Sequence, residues 1–215
     1  NPNSDLYRAH PDWAFSFPHR TSHEMRNQLM LNLAREDVYQ YLLKSFTALL
    51  GENNIKFIKW DHNRTLTEPG WADAPIEMQR EVRIRYIDNL YRLIDTLRSR
   101  FPDVQFEDCS SGGGRVDLGM LSRMDQAWAS DNTDPVDRLF IQYGFLSAFP
   151  ANTMVAWVTD EDWHKQSPSL DYRFNGSMAG VLGVGTDITK WNDEEKKIAR
   201  EKIARYKESR SLDQL

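Results

Sequence analysis

Apolar positions along the chain switch repeatedly between a spacing of about two and a spacing of three to four residues. Val38, Tyr41, Leu42, Phe46 and Leu49 recur at helical intervals between Arg35 and Leu50, and Gly51 stands where a terminating glycine belongs. The run from Ile55 to Trp60 reads as a strand. A loop carrying Pro69 and Gly70 then leads to Asp73 and Pro75, a cap and first-turn pair, and a helix is predicted from there to about Arg100, where Phe101-Pro102-Asp103 ends it. Val104–Glu107, Gln126–Ser130, Asn152–Thr159 and a stretch within Val181–Ile188 give four more strands. Helices are predicted from Asp134, as cap, to about Ala148, from Ser169 to Ala179 and from Asn192 to Arg210. Residues 1–28 show no clear period, and no element is predicted there.

Strand and helix thus alternate five times with short connections, which implies a parallel sheet covered by helices. Polar clusters follow the strands at Lys59-Asp61-Asn63, at Asp108–Ser111 and at Asp131–Asp134, always on the same side of the unit. In an eight-stranded β/α barrel that side is the catalytic face. Five units do not close such a barrel.

Composition narrows the field. The chain has 215 residues, 40% of them hydrophobic and 27% charged, which suits one domain with its own core. The formal net charge of −5 gives no support to a nucleic-acid groove or to an anionic membrane surface. A single cysteine, Cys109, excludes an internal disulfide and fits a reducing compartment, so a cytoplasmic location is expected. No apolar run approaches the roughly 20 residues that span a bilayer, and the chain opens on no signal-peptide pattern. Asn175-Gly176-Ser177 and Asn63-Arg64-Thr65 match the glycosylation acceptor, a three-residue pattern that often arises by chance.

The densest chemistry lies in Ile55–Arg64, where Lys59, Asp61, His62, Asn63 and Arg64 crowd the end of an apolar run. Lys59 and Asp61, two apart on a strand, emerge on one face while Trp60 points to the other. A cation beside a carboxylate favours the ionised acid that a nucleophile requires, although an ion pair closing a barrel end has the same pattern. His62 has no second His or Cys at ligand spacing, so no metal and no cofactor is expected. Asp131 follows the third strand without an evident capping role, whereas Asp134 is explained by its cap; an ordinary turn residue remains the alternative for Asp131. Two carboxylates from two strand ends suggest glycoside hydrolysis. Trp128 reads as core and is left outside the site.

Three ordered motifs carry a resemblance: Lys59-Trp60-Asp61-His62-Asn63-Arg64, then Glu107-Asp108-Cys109-Ser110-Ser111-Gly112-Gly113-Gly114-Arg115-Val116-Asp117, then Trp128-Ala129-Ser130-Asp131-Asn132-Thr133-Asp134. Together with Asn1–Tyr7 and Arg26–Leu29 they resemble the α-galactosidases of glycoside hydrolase family 36 over essentially the whole chain. The resemblance implies a retaining enzyme of (β/α)8 barrel fold that releases terminal α-linked galactose from oligosaccharides such as melibiose and raffinose. It further implies Asp61 as nucleophile, Asp131 as acid/base, and Arg26, Lys59, Asn63, Cys109 and Gly112 as residues lining the galactose pocket. His62 stands where the family pattern usually has Met, which bears on subsite preference. By the same resemblance residues 1–215 correspond to the last five β/α units of the barrel, a catalytic piece of a longer protein that is expected to be a homo-oligomer when intact. Transfer of galactose to an acceptor other than water, as in raffinose synthases, and a non-catalytic sugar-binding or scaffold role are the alternatives.

Overall fold

The computed structural model describes residues 1–64 and 66–213, with side chains as far as Arg210. The Asn63-Arg64-Thr65 acceptor pattern therefore ends outside the described residues. Contacts gather the chain into two compact units, one made of Asn1–Ile58 with His62–Gln105, the other of Lys59–Asp61 with the chain from Phe106 onward.

The first unit opens with a helix that the sequence pattern does not reveal, α1 (Asp5–Ala9), followed by a single 3-10 turn at Pro11–Trp13. Ser4 caps α1 by accepting from the Tyr7 N–H at 3.2 Å. Five residues are too few to display a 3.6-residue period, so only the cap marks the element. α2 (Glu36–Glu52) buries Val38, Tyr39, Leu43 and Leu50. Gly51 does not end it but lies inside, and termination falls to Asn53, whose Nδ2 donates to the Leu49 carbonyl at 2.8 Å. After β1 (Phe57–Asp61), the single helix predicted from Asp73-Pro75 is two, α3 (Ile76–Gln79) and α4 (Val82–Arg100). Asp73 does not cap α3; Pro75 occupies that position without a side-chain cap. The Gln79 amide turns back onto the Trp71 and Ala74 carbonyls and interrupts the helix before Glu81. α4 packs on α2 through a buried stripe of Leu90, Leu93, Ile94 and Leu97. Arg92 fastens the pair, reaching Glu36 at 2.6 Å with its guanidinium 3.5 Å from the Tyr39 ring centroid.

The remaining elements are β2 (Gln105–Cys109), α5 (Leu118–Leu121), β3 (Gln126–Trp128), α6 (Asp137–Leu146), β4 (Met154–Val158), α7 (Leu170–Ser177), β5 (Val181–Val184) and α8 (Asp193–Asp213). The sheet order is β1-β2-β3-β4-β5, the order that successive strand-helix units of a β/α barrel produce, with β1 and β5 at its two ends. The fold is α/β, as the alternation predicts. Glu107 pairs with Gln126, Trp128 with Val155 and Trp157 with Gly183, all in parallel ladders. α7 and α8 cover β4 and β5 over a core of Val158, Leu170, Phe174, Trp191 and Ala199. The α8 start is a reciprocal cap in which Asn192 and Glu195 each accept the other's backbone N–H at 2.9 Å. Gly183 and Gly185 make room for the Trp157 indole, since a Cβ at either would stand 2.3 or 2.5 Å from its ring atoms.

Asp108 in β2 is fully buried and takes a fork from Arg115, with Nε at 2.8 Å and Nη2 at 2.6 Å from one carboxylate oxygen. The same guanidinium donates to the Trp60 carbonyl at 3.0 Å, so it fastens the end of β1 to β2. Burial pushes the Asp108 carboxyl above its ordinary value against the pull of Arg115. Arg115→Met keeps the aliphatic stem but leaves that carboxylate uncompensated. It is expected to cost about 3 to 5 kcal/mol in urea unfolding, and Asp108→Asn added to it should recover part of the loss.

Candidate active site

The alternation along β1 and β2 sends successive side chains to opposite faces of the sheet. β1 ends one residue later than the sequence pattern suggests, which makes Asp61 its last residue, and β2 likewise extends to Cys109. Lys59 and Asp61 then share a face with Glu107 and Cys109. Lys59 Nζ lies 3.2 Å from Glu107 Oε1, and the other Glu107 oxygen accepts from Gln126 Nε2 at 2.5 Å. Glu107 is only 2% exposed, so its charge is held by these two groups. The Lys59 ammonium also sits 4.3 Å from the Trp128 ring centroid, a cation over an aromatic face.

Cys109, buried against Trp128 and Val155, contacts Asp61. Burial pushes its thiol up to about 11; the Gly112 N–H pulls the other way, and the hydrogen bond to Asp61 adds to the rise. The thiol therefore stays protonated at neutral pH and serves Asp61 as an uncharged donor.

β3 ends at Trp128 rather than at Ser130, so Asp131 lies three residues into the loop. Its position is nonetheless closely fixed. Trp128 Nε1 donates to Asp131 Oδ1 at 2.9 Å, which gives this core tryptophan a direct role in placing the acid. Arg138, buried at the start of α6, reaches the Ser130 carbonyl at 3.3 Å and the Val155 carbonyl at 3.0 Å. Gly112 adopts φ +86°, and a Cβ there would lie 2.8 Å from Ser130 Cα and 3.1 Å from Asp131 N. Only glycine lets the β2 loop approach the backbone of the acid so closely.

Downstream of Asp131 the loop is wired to itself. Asn132 Oδ1 accepts from the Asp134 N–H at 3.0 Å, and Asn132 Nδ2 donates to Asp137 at 2.7 Å, with His164 Nε2 on the other Asp137 oxygen at 2.8 Å. Asp134 is fully buried and accepts the N–H groups of Val136, Asp137 and Trp163. Burial opposes its ionisation, but the backbone donors outweigh it and the carboxyl ends below its ordinary value. Asp134, Asp137 and His164 are close enough to offer three atoms to a cation. The three N–H bonds at Asp134 and the Asn132 bond at Asp137 account for these carboxylates as loop anchors instead.

Arg26 and Asn63 belong to the first unit. Arg26 is exposed at the tip of a two-residue turn closed by the Met25–Gln28 bridge, with φ +54° at Arg26 and +56° at Asn27. Left-handed geometry at two non-glycine residues is costly, and Arg64 stabilises the turn by donating to the His23 carbonyl at 2.5 Å and the Gln28 carbonyl at 3.3 Å. Asn63 is half-buried in the loop after β1. Lys59, Asp61, Cys109, Gly112 and Asp131 all belong to the second unit. Glu107 and Trp128, which sequence reasoning leaves out, join them there; the spacing Glu107-Cys109, matching Lys59-Asp61, was the available signal for the first.

A family model described as Melibiase matches residues 1–215. The chain belongs to the melibiase family. Among its melibiase relatives, the α-galactosidase AgaA of Geobacillus stearothermophilus is 45% identical over 99% of this chain and 29% of its own length. The α-galactosidase Mel36A of Lactobacillus acidophilus is 37% identical over 98% of this chain, again across 29% of the relative. A crystal structure of a variant of the Geobacillus family 36 enzyme in complex with raffinose matches with a TM-score of 0.95, over 100% of this chain and 30% of that one. The chain thus spans about three-tenths of the length of the melibiases it matches.

Two outcomes follow from the site's construction. Gly112→Ala, strained by its φ and by contact with Ser130, should lower the melting temperature as the Ser130–Asp131 backbone is pushed away. Asp134 titrates below its unfolded value of about 3.9, so the stability it lends is present above that value and lost as pH falls through the lower folded value. Asp134→Asn should therefore melt earlier than the unsubstituted protein at neutral pH, with the gap narrowing below about pH 4 in a thermal series.

Proposed function

We propose that the whole protein is a retaining α-galactosidase acting on α-linked galactose in oligosaccharides, with Asp61 as nucleophile and Asp131 as acid/base. The observation that carries this reading is the pair of carboxylates at the C-terminal end of β1 and in the loop that follows β3, each held by a neutral donor, Cys109 for Asp61 and the Trp128 indole for Asp131. Family membership and the relatives named as α-galactosidases support the substrate class.

On this reading the Asp61 carboxylate attacks the anomeric carbon as the bond to the glycosidic oxygen breaks, and Asp131 passes its proton to that oxygen. Trp128 holds Asp131 Oδ1, leaving Oδ2 to carry the proton. The resulting ester between galactose and Asp61 is resolved by a water molecule. Asp131, now a carboxylate, takes a proton from the water as its oxygen bonds to the anomeric carbon and Asp61 departs, so two inversions retain configuration. Lys59, fixed between Glu107 and Trp128, keeps a positive charge on the same sheet face as Asp61.

The two acids are separable in the full-length protein. Asp61→Ala should abolish ester formation, and added azide should restore turnover to a galactosyl azide of inverted configuration. Asp131→Ala should lose roughly 100- to 10,000-fold on natural sugars but much less on substrates whose leaving group needs no proton, and azide should give the product of retained configuration. NMR of the azide products decides the matter: exchanged configurations would reverse the roles, and no azide product from either variant would refute the double displacement.

A further inference from the structure

The loop after β4 holds one large aromatic ring in the open. Trp163 is 60% exposed, yet it is fastened at two points, its N–H donating to Asp134 Oδ2 at 2.8 Å and its indole Nε1 to Glu161 Oε2 at 2.7 Å. The flanking backbone is fixed as well. Thr159 Oγ1 donates to the Thr133 carbonyl at 2.8 Å, Arg173 to the Thr159 carbonyl at 2.9 Å, and the Asp162 carboxylate accepts the N–H groups of Gln166 and Ser167, each at 2.9 Å. Scattered exposed apolar residues are ordinary on a protein surface, but they are not usually locked in orientation. A ring held at backbone and indole has little rotamer freedom left to lose when something stacks on it.

The anchor of Trp163 identifies what that something is. Asp134 lies three residues after Asp131 in the loop that follows β3, and β3 and β4 are parallel neighbours, so both loops leave the same end of the sheet. A general acid must reach the glycosidic oxygen, so the departing sugar lies on the side of Asp131. An indole face fixed beside that loop offers an apolar plane of the size of a pyranose ring, while Glu161 at its edge offers carboxylate oxygens to sugar hydroxyls.

We infer that Trp163 is a stacking platform for the sugar leaving group and so helps to determine which galactosides are turned over. The inference rests on Asp131 being the acid/base. It is tested in the full-length protein with Trp163→Ala and Trp163→Phe, on raffinose and on α-galactosyl fluoride, whose leaving group is neither a sugar nor in need of a proton. In Trp163→Ala the ratio of kcat/KM for raffinose to that for the fluoride should fall about tenfold, the change being carried by KM, and Trp163→Phe should recover most of it because a ring is restored without the indole N–H. An unchanged ratio in Trp163→Ala overturns the platform and leaves the α-galactosidase reading standing, because both substrates are then affected alike. Turnover of neither substrate by the unsubstituted protein overturns that reading and the platform with it.

Discussion

A carboxylate with 2% of its surface exposed cannot be left without a cation, and Glu107 on β2 imposes that demand on the sheet face around it. Lys59 meets it from β1, and its ammonium also comes over the Trp128 ring. Trp128, thus pinned from one side by a cation and packed edge-on against Trp157 at 4.7 Å, has its N–H aimed at Asp131. The chain of dependence runs from a buried charge on β2 to an acid in the loop after the neighbouring strand. Removing Glu107 would leave Asp131 in place as a residue but without the support that sets its angle.

The same face separates two kinds of neighbour for its carboxylates. Glu107 is met by the Lys59 ammonium, and Asp61 has beside it a thiol that burial keeps protonated to about 11. The protonated sulfur gives Asp61 a hydrogen bond without adding a charge of its own. On the opposite face one oxygen of Asp108 accepts two N–H groups of Arg115. Along one five-residue strand, Glu107 and Cys109 thus share one face and Asp108 with its arginine takes the other, as the two-residue period requires.

The fold class was legible because alternation between a period of two and a period near 3.6 is repeated five times, and errors at single ends do not change it. Where one residue decided an element, the reading failed. Gly51 has no Cβ and can end a helix, but Asn53 supplies a side-chain donor to the Leu49 carbonyl and so takes over the role two residues later. α1 was too short to have a period. The break before Glu81 comes from a glutamine side chain reaching back to Trp71 and Ala74, a contact that no local pattern encodes. At the site, Lys59, Asp61 and Asp131 stood out as strand-end residues and Cys109 and Gly112 only through the family resemblance, whereas Trp128 did not stand out, because a tryptophan on an inner strand has the same sequence signature whether its N–H serves a neighbour or merely packs. Glu107 escapes the sequence for a related reason: a buried acid announces itself only through its partner, and Lys59 stands two residues from Asp61 in the sequence while its ion pair is across the sheet with Glu107.

Trp157 and the two glycines of β5 and its following turn describe a shared volume rather than three separate preferences. The indole occupies the space where side chains at 183 and 185 would begin. Substitution at any one of the three positions is therefore conditional on the other two: a side chain at 183 is tolerable only if 157 has first become small, and a shrunken 157 gives up contacts that an unaltered pair of glycines cannot replace. Variation across this corner should be found in concerted sets, with single exchanges selected against in both directions, so that the junction of β4 and β5 constrains which sequences can be reached from one another by single steps.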